Sequence, residues 1–330
     1  MAQADMTDGG LRRADPTVDG PLDLATRRVA LIINERSGKR DGRAQLATLR
    51  DWLQPRCRSL DIRPIRKGSD IAEAAVAAVA AGADVVVALG GDGTQSAVAG
   101  ALVGSRAIMA VLPGGTFNYF ARELDVGTLD RALAALETGK VRTRHVGMLN
   151  DRVFLNNASF GLYPSILMRR EAIYRRWGRT RIAAYWSVLA SLRDMRQVMR
   201  LAVTVGDTAQ AYQTPLVFVA HSAYQLESLG LDGADGVRAG HFGLFIAKGQ
   251  RRRDLFLASL RLAFGQSVRG EDFDLVLSDA LVIETQSRQR LVAMDGEKGR
   301  MSGPFRLSVL RDGLRVVVPV DVAGQDTGVA

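Results

Sequence analysis

Gly90-Gly91-Asp92-Gly93-Thr94 sets three glycines around one carboxylate where an apolar run gives way to a helical stretch. Glycines let the backbone approach a ligand closely and take up positive φ, and the N–H groups of a turn entering a helix favour a phosphate. Asp92 could then hold a metal ion or take a proton; the plain alternative is an ordinary glycine-rich strand-to-helix turn. A second turn, Leu112-Pro113-Gly114-Gly115-Thr116-Phe117-Asn118, follows the next apolar run. Thr116 and Asn118 could bond phosphate or ribose oxygens, and Asn118 could equally cap the next helix. The spacing is not that of the dinucleotide glycine motif, since Ser96 stands three residues after Gly93, and the chain has no P-loop sequence.

Both turns need strands to carry them. Val29 to Ile33, Ile62 to Ile65, Val85 to Leu89 and Ile108 to Leu112 read as strands, the third a β-branched apolar run of the kind buried in a parallel sheet. Between them lie helical stretches from Gly42 to Leu53, from the N-cap candidates Ser69 and Asp70 to near Gly82, and from Thr94 to Leu102. Two short helices end near Thr138. The alternation predicts an α/β, doubly wound, mostly parallel sheet, with both turns at the carboxyl ends of its strands, where ligands bind. Beyond Val141 the texture changes to short apolar runs, among them Val153 to Phe160, Phe242 to Ala247, Phe305 to Leu310 and Leu314 to Val320. These predict a β-rich, sandwich-like second domain with helical interruptions near 165–199 and 253–264. The expected divisions are a disordered run over 1–26, an α/β domain over 27–143 and a β-rich domain over 144–330, whose C-terminal end could return to the first domain.

Composition narrows the chemistry. The 330 residues are 47% apolar and 24% charged, which is a globular balance. The longest apolar stretch, Ile71 to Leu89, contains Glu73 and Asp84 and cannot be a membrane span. The first 26 residues lack a signal-peptide core, which points to the cytoplasm. Cys57 is the one cysteine, and His145, His221 and His241 are scattered, so disulfide, zinc-cluster and metalloprotease readings drop out. Lys and Arg number 44 against 35 acids, a net charge of +9 that calls for an anionic partner. Nine arginines and two acids fall between Arg169 and Arg200. That stretch is either a peripheral contact with an anionic membrane surface or a solvated charged helix. No nucleic-acid module appears, and none is expected as a partner.

The two turns together resemble the catalytic domain of the diacylglycerol kinase family. Asn34-Glu35-Arg36-Ser37-Gly38 resembles the family's opening turn, Phe154 to Gly161 the start of its second domain, and Asp295-Gly296-Glu297 its late acidic motif. The resemblance implies a two-domain kinase that transfers phosphate from ATP to a lipid hydroxyl with Mg2+. It implies a nucleotide site at Asn34, Ser37, Gly38, Gly90, Gly91, Asp92, Gly93, Thr94, Ser96, Gly115, Thr116 and Asn118. It makes Glu297 the general base, with Asp92 and Asp295 in its acidic network. Without it, Asp295-Gly296 reads as a β-turn.

Three departures stand out. Glu35 replaces the family's proline, and Tyr119 stands where many members have Asp. The family's structural magnesium site aligns either on Asp235, retaining a ligand, or on Ala239, losing it. The expected acceptor is diacylglycerol or a related lipid. An NAD kinase-like reaction on a soluble substrate and a non-catalytic nucleotide or lipid sensor are the alternatives.

Overall fold

A computed structural model of the chain describes residues 20–35, 42–161, 198–248 and 273–320. Ser37, Gly38, the first 19 residues and the expected helices near 165–199 and 253–264 lie outside these, except that Met199, expected at a helix end, begins a strand. The chain divides into two compact units: one runs up to Val146 and resumes at Leu310, and the other covers Gly147–Val309.

The first unit begins with β1 (Gly20–Pro21) and β2 (Arg28–Asn34), followed by β3 (Ser59–Ile65), β4 (Val85–Gly90), β5 (Ile108–Pro113) and β6 (Lys140–Leu149). Its helices are α1 (Gly42–Leu53), α2 (Ile71–Ala80), α3 (Asp92–Leu102), α4 (Tyr119–Glu123) and α5 (Leu129–Thr138). Strands β3, β2, β4 and β5 lie side by side in that order, all parallel. The chain lays down β2, moves to one side for β3 and crosses back for β4, so the strand order switches between β2 and β4. Ligands in such sheets bind at the carboxyl ends flanking the switch, here Asn34 and Gly90. Each residue from Val85 to Leu89 is buried, as their apolar, mostly β-branched character requires of a strand covered on both faces.

The expected disorder does not extend through residue 26. Gly20 and Pro21 pair with Val141 and Lys140, and Leu22 and Leu24 are buried, because two apolar side chains give this short run something to bury. Asp70 occupies the position before α2 without capping it: its carboxylate accepts from the Ser69 hydroxyl instead.

The second unit contains β7 (Arg152–Phe154), β8 (Asn157–Gly161), β9 (Met199–Val205), β10 (Thr208–Thr214), β11 (Leu216–Ala220), β12 (Phe242–Ala247), β13 (Phe273–Ser278), β14 (Ala280–Thr285), β15 (Gln289–Met294), β16 (Glu297–Ser302) and the first part of β17 (Phe305–Val318). Its short helices are α6 (Ala223–Ser228) and α7 (Ala234–Arg238). One antiparallel sheet has the order β13-β12-β11-β8-β15-β16; β10, β9, β14 and the start of β17 form a second antiparallel run. Side chains from both, including Phe160, Val217, Leu244, Leu201, Ile283 and Phe305, form one core. Phe160 meets Phe305 edge-on with ring centroids 4.8 Å apart. This is the β-rich, sandwich-like unit that the apolar runs predict.

Two expectations about strands change. The runs expected at Phe305 to Leu310 and Leu314 to Val320 join into one strand that ends at Val318, because Asp312 (φ 52°) is held in line by two residues of β6: its N–H donates to His145 Nδ1 at 3.0 Å, and its carboxylate accepts from Thr143 at 2.8 Å. Val153 to Phe160 splits into β7 and β8, since the N–H groups of Leu155, Asn156 and Asn157 bond to a carboxylate rather than to a strand.

Candidate functional site

In the first unit the glycine turns lie backbone against backbone. Gly114 N–H donates to Gly90 C=O at 2.9 Å. A Cβ on Gly115 would come within 2.5 Å of Gly91 Cα, and one on Gly90 within 2.4 Å of Thr94 Oγ1. None of Gly90, Gly91, Gly93, Gly114 and Gly115 has a positive φ. The expectation of positive φ is corrected: glycine is required at Gly115 because two segments of the chain approach there more closely than a side chain permits.

Helix α3 starts at Asp92, inside the glycine turn and so earlier than its sequence suggests, and Asp92, Gly93 and Thr94 form its first turn. The N-terminal N–H groups of a helix attract anions. Asp92 is already engaged: Oδ2 accepts the N–H of Asn118 at 3.0 Å and Oδ1 that of Tyr119 at 2.7 Å. One carboxylate thereby fastens the second turn to the start of α3. Asn34, at the end of β2, donates from Nδ2 to Thr94 Oγ1 at 3.1 Å. The structure thus brings Asn34, Gly90, Gly91, Asp92, Thr94, Gly115 and Asn118 together around the switch in strand order. Ser96 lies further along α3, half-buried, and Thr116 is exposed in the second turn.

Asn118 does not cap α4. It adopts a left-handed conformation (φ 52°, ψ 47°), and its amide closes on Gly115, accepting from its N–H at 2.8 Å and donating to its C=O at 2.9 Å. Buried Gln95 also steadies the first turn by donating to Gly90 C=O at 3.1 Å. The flanking rings of Phe117 and Tyr119 stack with centroids 5.5 Å apart. Tyr119 contributes an aromatic surface where many family members carry a charge.

In the second unit, Asp295 and Gly296 have φ of 46° and 86° and form the two-residue turn between β15 and β16, in which Met294 pairs with Glu297. Left-handed backbone at both positions is what a tight hairpin needs, and Asp-Gly supplies it. The turn reading of this motif therefore holds. Asp295 is buried, and its carboxylate accepts three backbone N–H groups: Leu155 at 2.7 Å, Asn156 at 2.8 Å and Asn157 at 3.0 Å. Asp295 N–H returns a bond to Asn157 C=O at 2.9 Å. It is an anchor.

Glu297, the general base that the resemblance implies, opens β16 directly after this turn. The residue as a whole is exposed, yet its surroundings remove enough water to hold its carboxyl above the ordinary carboxylate value. Arg152 opposes that shift, and the negative charge of Asp295 reinforces it. The influence of Arg152 was not foreseen from the sequence; its only sequence signal is a position two residues before the Phe154-Leu155-Asn156 segment.

Asp235 lies in the first turn of α7, with its side chain exposed and ion-paired to Arg238 at 3.0 Å. Among the described residues no group of three or more His, Cys, Asp or Glu is placed to hold a metal ion. No described helix is long and apolar enough to cross a membrane.

Comparison with known proteins follows the same lines. Residues 28–149 match the model of the diacylglycerol kinase catalytic domain. Over 137 residues the chain is 35% identical to the "Probable lipid kinase YegS-like" protein of Pseudomonas aeruginosa (strain UCBPP-PA14); the match covers 41% of this chain and 44% of that relative, less than half its length. It is 23% identical to the diacylglycerol kinase of Bacillus subtilis (strain 168), over 91% of this chain and 99% of that one. The fold resembles a crystal structure of a diacylglycerol kinase from Bacillus anthracis str. Sterne, with a TM-score of 0.68 and 21% identity over 90% of this chain and 98% of the other. Interlocked glycine turns on a parallel sheet agree with the matched domain, and residues 28–149 are a diacylglycerol kinase catalytic domain by that match.

Proposed function

We propose that the protein is a lipid kinase that transfers the γ-phosphoryl group of ATP to a hydroxyl of diacylglycerol or a related lipid. The observation that carries this reading is the interlocked pair of glycine turns at the carboxyl ends of β4 and β5, fastened by Asp92 within a diacylglycerol kinase catalytic domain.

In this reading the turns and the N-terminus of α3 hold the phosphates, with Gly91, Gly93, Thr94 and Gly115 lining them. The acceptor oxygen attacks the γ-phosphorus, the bond to the β-bridging oxygen breaks, ADP leaves, and the hydroxyl proton passes to the Glu297 carboxylate. A carboxylate whose affinity for protons is raised is a better acceptor, provided that it is ionised at the working pH. Phosphoryl transfer needs little more from a protein than positioning and charge neutralisation. The described residues supply no cage for magnesium, so Mg2+ is taken to arrive on the phosphate oxygens, as it does in many nucleotide sites, and no step is assigned to it. The net charge of +9 favours collection of the lipid from an anionic membrane surface, on the cytoplasmic side.

The test is incubation of purified protein with labelled ATP, magnesium and a total lipid extract in mixed micelles, with Glu297→Gln alongside. Label entering the organic phase with wild type, and falling by about 10²- to 10⁴-fold in the variant, is the expected result. ATP binding without transfer to any lipid would overturn the reading.

A further inference from the structure

Gly236 and Gly240 are glycines for different reasons. A Cβ on Gly236 would come within 2.7 Å of Leu277 Cδ1, so this residue is small because α7 lies directly on β13, and its φ is not positive. Gly240 has a φ of 85° and turns the chain into β12, which begins two residues later at Phe242. The resemblance sets the structural magnesium ligand before a glycine that leads into an apolar strand. Asp235-Gly236 lies inside α7, whereas Ala239-Gly240 directly precedes the strand, and Ala239 has no side-chain oxygen.

Mg2+ is held by oxygen ligands, and those of this segment are engaged. The C=O groups of Gly233, Asp235, Gly236 and Val237 accept the N–H groups of Val237, Ala239, His241 and Gly240 at 2.9 to 3.0 Å. The Asp235 carboxylate is taken up by Arg238. The residues present therefore do not fit a magnesium ion. A different cation ties the segment together. Arg238 of α7, with its side chain 29% exposed, donates from Nη2 to Glu227 Oε1 on α6 and from Nη1 to Asp235 Oδ1 at 3.0 Å. Helices of six and five residues do not hold on propensity alone, so α6 and α7 depend on such ties and on the apolar cluster that Ala223 and Leu226 share with Val237. A guanidinium fork that serves two carboxylates fixes geometry as well as charge.

We propose that the Arg238 guanidinium stands in for the structural magnesium ion, joining α6 to α7, so that this segment keeps its fold without a bound divalent cation. Asp235 is then an ion-pair partner rather than a metal ligand, and the magnesium position of the resemblance falls on Ala239. The inference is separate from the kinase reading, in which Mg2+ arrives with the nucleotide. It makes one permanent charge of the chain itself, always protonated at working pH, do what other chains would draw from solution.

Hydrogen exchange of peptides spanning Ala223 to Phe242, in the full-length protein without nucleotide, reads the segment itself. Wild-type protection should be the same in EDTA as in magnesium. Arg238→Gln should speed exchange by about threefold to tenfold in either medium. Glu227→Gln keeps the guanidinium and weakens its hold on α6; it should act by a similar factor, and the two changes together should do little more than either alone. If Arg238→Gln does not fold, Glu227→Gln and the comparison of EDTA with magnesium still decide. Wild-type exchange that speeds up in EDTA and slows again with magnesium would overturn the proposal. So would wild-type exchange rates in Arg238→Gln, or effects of the two variants that simply add. Exchange is read without ATP and without turnover, so a protein that phosphorylates no lipid would sink the kinase reading and leave this result as it stands.

Discussion

Asp92 Oδ1 lies 2.7 Å from the backbone nitrogen of Tyr119, twenty-seven positions further along the chain. Together with the bond to Asn118 N–H, this makes the acidic residue of the first glycine turn the fastener of the second. Asp92→Asn retains one accepting oxygen and turns the other into a donor facing an N–H. We expect it to destabilise the protein by about 1–3 kcal/mol, as well as reducing turnover. Urea unfolding of wild type and variant checks this; unchanged stability with lost activity would move Asp92 from fastener to direct participant.

Gly115→Ala should be among the most damaging single-carbon additions in the chain. Its Cβ would meet Gly91 Cα at 2.5 Å and Asn118 Oδ1 at 2.9 Å, and backbone on one side leaves little room to yield. A loss of about 1–3 kcal/mol and a clear weakening of ATP binding are expected, measured by thermal unfolding and nucleotide titration. Gly296→Ala is the useful contrast. Nothing lies within 4 Å of its added carbon, so its cost comes only from φ of 86° in the hairpin turn.

Glu297 must be ionised to accept a proton, so activity should be present above its pKa and lost as pH falls through it. Burial and the charge of Asp295 raise that value, so the acid limb lies at higher pH than for an ordinary carboxylate. Arg152 pulls it back. Arg152→Ala therefore moves the acid limb of kcat to still higher pH with little change at alkaline pH. A limb that shifts downward, or does not move, would remove Glu297 as the group being titrated.

His145 supplies a pH dependence of stability. Burial lowers its pKa from the ordinary value of 6.5, outweighing the raising influence of Asp312, while Arg144 and Arg311 lower it further. The unfolded chain therefore binds a proton at a pH where the folded protein does not. The contribution is fully present above about 6.5 and is lost as pH falls toward the lowered folded value. Protonation would also displace Asp312 N–H, which donates to Nδ1. Unfolding measured from pH 8 to 5 should show stability falling below 6.5, with the fall reduced in His145→Gln.

Much of the first unit was legible because its strands are apolar runs bounded by turn residues. Arg28–Asn34, Val85–Gly90 and Ile108–Pro113 fall where the β-branched residues put them, and α1 spans Gly42–Leu53 as expected. What escaped was held by pairing rather than pattern. Thr208–Thr214 and Glu297–Ser302 are polar strands that take their conformation from the hairpin partners beside them. The glycine turns could be recognised as a site, but the reason for their glycines could not, since it is a contact between segments about twenty-four residues apart. Asn157 and Ser159 did leave a trace, polar residues at a period of two in an apolar strand, but only their burial gives that trace meaning.

The last strand has a consequence for the order in which the chain can mature. The stretch from Leu310 to Val320 belongs to the first unit, and Arg315 and Val316 pair in parallel with Ile108 and Met109 on β5. During synthesis every strand of the second unit leaves the ribosome before β5 receives this neighbour, with some two hundred residues between the partners. Closing so long a loop is slow. The parallel sheet, although encoded first, is therefore completed last, and a nascent chain can assemble the β-rich unit while the β5 edge of that sheet still stands open.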